Sequence, residues 1–395
     1  LWAMLGFLSA DALVLGALTV RLVGQHARAG VAWADVRRER HHELITASHL
    51  VERYGHDSIS PFIVRPDKSY EFAAGGVLAY RVFGRTAVVS GDPVGPPGAG
   101  PAVLASFLET ARSRRWRVVI YGASRDQLET YHRLGLRSLC VGEEAVTRPD
   151  RFSLEGRRVR KLRQSVHRVQ RRGWQIVVRD GIDIDAETEA EINALEARWR
   201  AQRRRILGFA MSMGSFESGV HPTDLYVLAR SPEGRLSATM RFIAHRGKLS
   251  LDTMRRVGET PNGLNEALVC RVLEVARERG IPEVSLNYAG LAHLIRRGPC
   301  GGWVSRWAIR FVVGVLSRRF QMERLVRFNE KFSPEWRPRY LVYRSRPALP
   351  GAVYRVLQAE GYIAQRDHSG HLPDRRGSVP SRAPLLSIRA GAPGR

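Results

Sequence analysis

Residues 224–256 read DLYVLARSPEGRLSATMRFIAHRGKLSLDTMRR, and this stretch sets the expected fold. It holds three strand-like runs: Asp224–Arg230, Leu236–His245 and Lys248–Arg255. The turn sequences SPEG and RG separate them, which predicts three consecutive strands joined by short turns. A helix over Leu264–Arg279, ending at Gly280, and a strand over Glu283–Tyr288 follow;. The stretch therefore predicts a mixed α/β unit.

Working outward, a similar order of elements recurs towards the start of the chain. A strand over Trp174–Arg179 and a helix over Ala186–Arg204 precede the opening stretch. The earlier copy is predicted from strands at Ser60–Val64, Gly76–Val82, Thr86–Ser90, Trp116–Tyr121 and Leu136–Val141, with helices at Pro101–Arg115 and Arg125–Leu134;. The recurrence indicates a duplicated fold. Its order is that of the acetyltransferase-like (GNAT) fold, in which two splayed parallel strands open a binding cleft.

The composition indicates an intracellular protein with an anionic partner. The 395 residues suggest at least two domains, and 63 Lys and Arg against 38 Asp and Glu give a net charge of +25;. Such an excess attracts polyanions, so that RNA and an anionic membrane surface are the two candidates. An Arg-rich composition typical of a GC-rich genome is the alternative. Cys140, Cys270 and Cys300 lie far apart, which fits a reducing compartment and predicts no metal site;.

The start of the chain is membrane-like. Leu1–Val23 contains only Asp11 and Arg21 as charged residues, and as a helix would span roughly 34 Å at about 1.5 Å per residue;. That length suffices for a bilayer core of about 30 Å. We therefore expect a transmembrane segment over residues 1–24, the remnant of a larger membrane region, with a buried helix as the alternative. A basic linker over residues 25–41 then places the rest of the chain in the cytoplasm.

Residues 156–173 form a basic connecting helix without a single acid. Its cations are Arg157, Arg158, Arg160, Lys161, Arg163, Arg168, Arg171 and Arg172. Uncompensated charges of one sign favour a surface for nucleic-acid phosphates over an ordinary solvated helix face. Gly302–Phe332 predicts an amphipathic helix, for an anionic bilayer or for core packing. Residues 366–395 predict a disordered tail.

The loop after the third strand carries candidate chemistry. Residues 255–260, RRVGET, fall one residue short of the pyrophosphate loop of acetyl-CoA enzymes, and Glu259 would oppose a pyrophosphate;. Asp252 and Glu266 place carboxylates in the expected cleft, suited to a cationic amino group. A surface salt bridge or a helix cap is the alternative role for either.

Several motifs together resemble the cytoplasmic domain of the bacterial phosphatidylglycerol lysyltransferase family, over about residues 42–362. They are Tyr54-Gly55 with Ser58; Arg65-Pro66-Asp67-Lys68; Ser90-Gly91-Asp92-Pro93-Val94-Gly95; Gly142-Glu143-Glu144-Ala145; Asp252-Thr253-Met254-Arg255; Pro261-Asn262-Gly263; and residues 331–343, KFSPEWRPRYLVY.

The resemblance implies tandem GNAT domains, over residues 42–155 and 174–365, the second being catalytic. It implies transfer of an aminoacyl group, lysine being expected, from aminoacyl-tRNA to phosphatidylglycerol at the cell membrane. No cofactor is implied beyond aminoacyl-tRNA as co-substrate, and an upstream lipid-flipping region is a possible partner. The matching residues are Asp252, Arg255 and Lys331 as catalytic groups, and Glu266, Asn262 and Arg339 as substrate contacts. The expected tRNA contacts are Arg157, Arg158, Arg160, Lys161, Arg163 and Arg168. Glu266 stands where the family more often has Asp, which leaves the amino acid open.

The chemistry is consistent with these roles. An aminoacyl ester is already activated, so that the enzyme need only position a lipid hydroxyl and stabilise the oxyanion. Arg255 and Lys331 supply positive charge, while Asp252 and Glu266 bind ammonium groups or take the hydroxyl proton. The competing hypotheses are another GNAT-type enzyme, dependent on acetyl-CoA or of the peptidoglycan aminoacyl-tRNA type, and a non-catalytic membrane-tethered RNA- or lipid-binding protein.

Overall fold

A computed structural model describes residues 39–202, 219–290, 322–361 and 363. The chain divides into two compact units, Leu1–His49 and Leu50–Arg395. Residues 39–49 of the first unit are helical and belong to α1, a helix over residues 39–54. The predicted membrane segment, the predicted tail and residues 302–321 of the predicted amphipathic helix lie outside the described residues. Within the described ranges, no helix has the length and apolar character needed to cross a membrane.

The second unit contains two halves that follow similar element orders. The elements of the first half, residues 50–155, are β1 (Ser69–Ala73), β2 (Gly76–Phe83), β3 (Thr86–Ser90), α2 (Ala99–Ser113), β4 (Arg117–Ala123), α3 (Leu128–Arg133) and β5 (Arg137–Thr147). The basic helix α4 (Arg160–Arg171) connects them to the second half.

The second half, residues 174–361, contains β6 (Gln175–Asp180), α5 (Ala186–Ala201), β7 (Leu225–Arg230), β8 (Leu236–His245), β9 (Lys248–Arg256), α6 (Leu264–Glu278), β10 (Val284–Gly290), α7 (Met322–Glu330), β11 (Glu335–Tyr343) and α8 (Leu349–Ala359). The stretch quoted at the outset thus folds as predicted, as β7, β8 and β9. The Asp185 side chain caps α5 by accepting from the Thr188 amide;.

One predicted strand is wrong. Ser60–Ile63 forms a 3₁₀ helix with all four residues buried, and the first strand is instead Ser69–Ala73. The apolar run suggested a strand, but Pro61 has no amide hydrogen for a sheet and suits the first turn of a helix. The predicted helix over Arg125–Leu134 begins as a 3₁₀ turn, and only Leu128–Arg133 is α-helical.

The eleven strands of the described residues form one sheet, in the order β1-β2-β3-β4-β11-β5-β10-β9-β8-β7-β6. The two halves exchange their last strands. β5 of the first half pairs antiparallel with β10 of the second, and β11 of the second half lies between β4 and β5. The α/β class is confirmed, and the halves share one continuous sheet.

Each half contains one parallel strand pair, and the two pairs differ. β3 and β4 pair along five consecutive positions, from Thr86↔Arg117 to Ser90↔Tyr121. β9 and β10 pair at only two positions, Val284↔Leu249 and Ser285↔Ser250. The remaining residues of β9, from Leu251 onward, pair on their other side with β8. The parallel pair of the second half therefore opens towards its carboxyl end.

The main hydrophobic core lies beneath β9, around α6. Leu249 and Leu251 of β9 share this core with Leu268 of α6 and with Leu162 and Val169 of α4. Truncating a fully buried leucine such as Leu268 to alanine costs about 2–5 kcal/mol in such a core;. The basic helix is thus anchored by its apolar side.

Candidate active site

Asp252, one of the predicted catalytic residues, lies at an irregularity of β9, at the end where β9 and β10 are no longer paired. Leu251 pairs with Phe242, but Thr253 pairs with Arg241, so that β9 has one extra residue, Asp252, at this point. Such β-bulges redirect side chains and occur next to active sites. The carboxylate of Asp252 is buried, with the residue 5 % exposed.

Arg241 of β8 connects Asp252 to a second buried carboxylate. Its Nε and Nη2 atoms lie 2.7 and 2.6 Å from Oδ2 of Asp224, and its Nη1 lies 3.6 Å from Oδ2 of Asp252. Burial disfavours the charge of Arg241, but the two carboxylates outweigh burial and raise the pKa of the guanidinium;. The guanidinium of Arg241 thus stays protonated and lies beside the carboxylates of Asp224 and Asp252.

Arg255 lies on β9 like Asp252, and two residues of α5 hold its side chain. Its Nε donates to Oε2 of Glu196 at 2.8 Å, and its guanidinium stacks 3.7 Å above the Trp199 ring centroid. The residue is 3 % exposed, and burial lowers the pKa of the guanidinium although Glu196 opposes the shift. A stacked and paired guanidinium has little freedom, so that the charge of Arg255 occupies a fixed position.

Lys331 and Glu266 form a direct ion pair. Nζ of Lys331 donates to Oε1 of Glu266 at 2.6 Å. Glu266 lies in the first turn of α6, and Lys331 follows α7. Phe332 is 1 % exposed and packs edge-on against Phe328, with ring centroids 5.3 Å apart, which anchors the segment that carries Lys331.

Asn262 lies where the basic helix meets the start of α6. Arg168 donates to the backbone carbonyl of Asn262 at 3.4 Å. The next residue, Gly263, has φ of +96°, and a Cβ there would lie 2.6 Å from the Cβ of Ser165. Glycine is required by both the positive φ and the close approach of α4.

The predicted tRNA contacts lie on the outer side of α4 and in the turn before it. Arg157, Arg158, Arg160, Lys161 and Arg168 are exposed. Arg163 is partly buried, since its Nη1 donates to the carbonyl of Leu154 at 2.6 Å. None of these cations forms an ion pair with a residue that the structure describes, and the solvent-facing side of α4 is therefore strongly positive.

Arg339 lies apart from these groups, in a buried seam between the two halves. Its guanidinium binds Asp57 and Glu144, with Nη1 at 2.5 Å from Oδ2 of Asp57, and accessory donation to Ser58 Oγ at 3.1 Å. Ser285 of β10 donates to the other oxygen of Glu144 at 2.6 Å. Burial opposes the charge of Arg339, but the two carboxylates raise its pKa. Arg339 is 3 % exposed.

β9 and β10 are hydrogen-bonded only at the end that contains Leu249 and Val284, which we call the closed end of the pair. Glu283 lies at this end. Arg337 donates to both its carboxylate oxygens, at 2.6 and 3.1 Å, and Lys248 lies 2.9 Å from Oε2. The hydrogen bonds from Arg337 outweigh partial burial and, with Lys248, lower the pKa of Glu283 to about 2. The Glu283 carbonyl accepts from the Leu249 amide at 3.1 Å.

The structure thus brings some predicted residues together and separates others. Lys331 contacts Glu266, Arg168 contacts Asn262, and Asp252 and Arg255 share the open end of β9. Arg339 belongs to the seam. The proposed roles of all these residues stay predictions. The described residues contain no group of three side chains suited to hold a metal ion.

Sequence reasoning missed the partners that fix these groups. Arg241 and Asp224 hold Asp252, while Glu196 and Trp199 hold Arg255. Each lies on a different element from the residue it holds, and a single sequence has no local signal for such pairs. Glu144 was within a quoted motif, and its 0 % exposure shows why a carboxylate there needs Arg339;.

Comparisons with known proteins agree on one family. A sequence model described as phosphatidylglycerol lysyltransferase, C-terminal, matches residues 48–343. The lysylphosphatidylglycerol biosynthesis bifunctional protein LysX of Rhodococcus jostii (strain RHA1) is 32 % identical over 340 residues, 83 % of this chain and 30 % of that protein. LysX of Mycobacterium avium (strain 104) is 34 % identical over 347 residues, 84 % of this chain and 29 % of that protein. The chain therefore spans about a third of the length of these curated relatives.

A solved structure agrees in fold. The structure of L-PGS from Bacillus licheniformis superposes with a TM-score of 0.68 at 25 % identity, and the match covers 80 % of this chain and 94 % of that one. The family model covers all strands of the described sheet, from before β1 to the end of β11. The chain accordingly belongs to the family of the C-terminal domain of phosphatidylglycerol lysyltransferase.

Proposed function

We propose that this chain transfers a lysyl group from lysyl-tRNA to a glycerol hydroxyl of phosphatidylglycerol. One observation carries the proposal: Asp252 and Arg255 are both buried, and both lie on the part of β9 that is no longer paired with β10. Membership of the family gives the reaction class, and the names of the LysX relatives give the product. The same proposal includes a tandem acetyltransferase-like architecture and a membrane-associated place of action.

Asp252 is the proposed general base. Its carboxylate, with the guanidinium of Arg241 3.6 Å away, accepts the proton of the attacking lipid hydroxyl;. The hydroxyl oxygen bonds to the ester carbonyl carbon, and the bond from that carbon to the ribose oxygen of the tRNA breaks. The proton then passes from Asp252 to the departing ribose oxygen, which returns the carboxylate to its starting state.

Arg255 is the proposed source of fixed positive charge for the oxyanion that forms during this attack. A guanidinium already held by Glu196 and Trp199 needs no reorganisation when negative charge develops. No cofactor is required, because the aminoacyl ester brings its own activation.

Glu266 is the proposed contact for an ammonium group of the lysyl moiety. Its present partner is the ammonium of Lys331, which has the same chemistry as a lysyl side chain. We infer that Lys331 holds the carboxylate ready in the free enzyme and moves towards a phosphate or the oxyanion when the substrate arrives. The exposed side of α4 is the proposed surface for the tRNA backbone.

The test is a transfer assay with the full chain, lysyl-tRNA labelled in the lysine, and vesicles of phosphatidylglycerol. We expect a labelled lipid with the mass of lysyl-phosphatidylglycerol, and none with phosphatidylcholine vesicles. Alanyl-tRNA and labelled acetyl-CoA are the parallel substrates. Consumption of acetyl-CoA, or binding of both tRNA and lipid without transfer, would contradict the proposal.

A further inference from the structure

A second site lies at the closed end of the β9–β10 pair. A pocket of about 320 Å³ opens between the β8–β9 turn and the loop after α1. The turn contributes His245, Arg246 and Lys248 to its wall. The loop contributes His56, Asp57 and Ser58, and the buried Ser250 of β9 completes the lining.

The pocket lies on the face of the sheet away from α6 and α4. Leu249 and Leu251 of β9 enter the core with those helices, and side chains alternate along a strand;. Lys248 and Ser250 therefore face the other side. Ile243, which pairs with Ser250 across the hairpin, packs there against Ile59 and Phe62. The basic side of α4 and this pocket are consequently separated by the sheet.

The cations of the pocket are held in place and still have donors to offer. Arg246 uses Nη1 to donate to the carbonyl of Arg53 at 2.6 Å, and Lys248 uses its ammonium towards Glu283 at 2.9 Å. A guanidinium has five N–H donors and an ammonium three. Asp57, the one carboxylate in the lining, shares Arg339 with Glu144. Arg246 is thus a lining cation without an ion pair among the described residues, with the hydroxyl groups of Ser58 and Ser250 in the same lining.

We propose that this pocket binds the phosphoglycerol head group of the acceptor lipid, an assignment that rests on the proposed function. The phosphodiester lies against Arg246, Lys248 and His245, where charge-assisted hydrogen bonds favour it. The glycerol hydroxyls lie towards Ser58 and Ser250. The volume is at the lower end of the range for small-molecule sites, about 300–1,000 Å³, which suits a head group and leaves the acyl chains outside.

The position of the pocket supports the assignment. Ser250 precedes Asp252 by two residues on β9, which corresponds to about 6–7 Å along a strand. Lys248 precedes Asp252 by four residues, about 13 Å, so that a phosphate held at the turn places the glycerol beside Ser250, with its terminal hydroxyl pointing along β9 towards the proposed base. A tRNA phosphate has its own positive surface on α4, across the sheet, and the lipid is the better occupant of this pocket.

The decisive variant is Arg246→Asn. Arg246 has φ of +46° and is followed by Gly247 at +71°, in a two-residue hairpin turn. Asparagine tolerates this conformation, so that the substitution removes the cation and keeps the turn. The matched control is Arg115→Asn, since Arg115 is also exposed and has φ of +55° but lies in the first half. Unfolding of both variants by urea checks that the fold is kept.

The measurement is the initial transfer rate of the full chain at varied phosphatidylglycerol in mixed micelles, with lysyl-tRNA saturating. For Arg246→Asn we expect KM for the lipid to rise about tenfold or more, with kcat and KM for tRNA near wild type and no change for Arg115→Asn. Deacylated phosphatidylglycerol should compete with the lipid, and less well in Arg246→Asn. An unchanged KM for the lipid, or a raised KM for tRNA instead, would overturn the assignment.

A binding measurement keeps this proposal separable from the proposed function. Calorimetric titration with deacylated phosphatidylglycerol needs no transfer. If the wild type makes no lysyl-lipid but binds this probe, and Arg246→Asn binds it more weakly, the pocket assignment stands and the reaction is wrong. If the wild type makes the lipid but neither measurement distinguishes Arg246→Asn, the reaction stands and the pocket assignment is wrong.

Discussion

Among the described residues, each half of the sheet contains one parallel strand pair, β3–β4 in the first half and β9–β10 in the second. The two pairs differ in how far their strands stay hydrogen-bonded. β3 and β4 are paired along their whole common length, and Asp92, just after β3, is enclosed by Tyr131 Oη at 2.6 Å and the Ser124 amide at 2.9 Å. β9 and β10 are paired at two positions only, and Asp252 is set out of register by a bulge. The first pair has no opening between its strands, while the second has one.

The carboxyl groups at the two strand pairs have different surroundings. Burial, with the nearby charge of Asp57, raises the pKa of Asp92 although Tyr131 and Ser124 oppose the shift. Asp252 instead has the guanidinium of Arg241 beside it. Asp92 is thus surrounded by hydrogen-bond donors within the first half, while Asp252 lies beside a cation at the open end of the second pair. The proposed function places the reaction at the second of these carboxyl groups.

The largest expected effect tests this difference directly. Replacing Asp252 by alanine should lower the transfer rate by about 100- to 10,000-fold, because a general base is lost. Asp92→Asn is the control in the first half: its amide oxygen still accepts from Tyr131, and only the hydrogen bond from the Ser124 amide is lost. It should keep near wild-type rates, measured with lysyl-tRNA and lipid vesicles. A folded Asp92→Asn variant without activity would show that the comparison is wrong.

The seam between the halves should account for the next largest effect. Arg339→Met leaves Asp57 and Glu144 buried without their cation, and should lower the free energy of unfolding by about 3–5 kcal/mol. Arg337→Met, two residues away on β11, removes a half-exposed partner and should cost about 0–1 kcal/mol;. Urea titration monitored by tryptophan fluorescence measures both. Equal losses would mean that the seam has no special role in joining the halves.

The basic helix between the halves predicts a smaller effect that depends on salt. The triple variant Arg160→Gln, Lys161→Gln, Arg168→Gln should raise KM for lysyl-tRNA about tenfold at 0.1 M salt. It should also reduce the slope of log affinity against log salt by about 2. Gln at Arg112, Arg114 and Arg115, three exposed cations at the end of α2 in the first half, is the control with equal charge. An equal change in the control would indicate a general charge effect.

The smallest effect concerns the closed end of β9 and β10. The pKa of Glu283 is about 2 in the folded chain against an ordinary value of 4.5, chiefly because Arg337 donates to it. A lowered pKa stabilises the fold above pH 4.5, and this contribution disappears as the pH falls towards 2. The difference in unfolding free energy between wild type and Glu283→Gln should therefore be present at pH 6 and be strongly reduced at pH 2, where about half of the folded molecules have lost the charge;. A difference as large at pH 2 as at pH 6 would contradict the assigned pairing.

The elements that the sequence predicted well are those whose turns are local. β7, β8 and β9 have nearly the predicted bounds because SPEG and Arg246-Gly247 define both hairpins. β11 was not predicted as a strand, although its residues were quoted as a motif. Pro338 lies inside it, and proline normally argues against a central strand; here the register shifts at the adjacent Arg339–Tyr340 step.

The sequence predicted the residues of the candidate site. It did not predict which other residues contact them. The motif containing Asp252 and Arg255 was visible in the sequence, but the bulge at Asp252 depends on register with β8. Arg339 was expected to contact the substrate, and it binds Asp57, 282 residues earlier. Contacts between residues so far apart in the sequence depend on the strand exchange, and no local sequence pattern predicts that exchange.

The strand exchange also fixes the order in which this chain can mature. β4 and β5 are synthesised before β6 to β10, yet the strand that lies between them, β11, is synthesised after all of these. Until it arrives, the first half exposes two unpaired edges in the middle of its sheet, where aggregation would start. Pairings so distant along the chain slow folding. A nascent or truncated chain that ends before Glu335 therefore lacks the strand that joins β4 to β5.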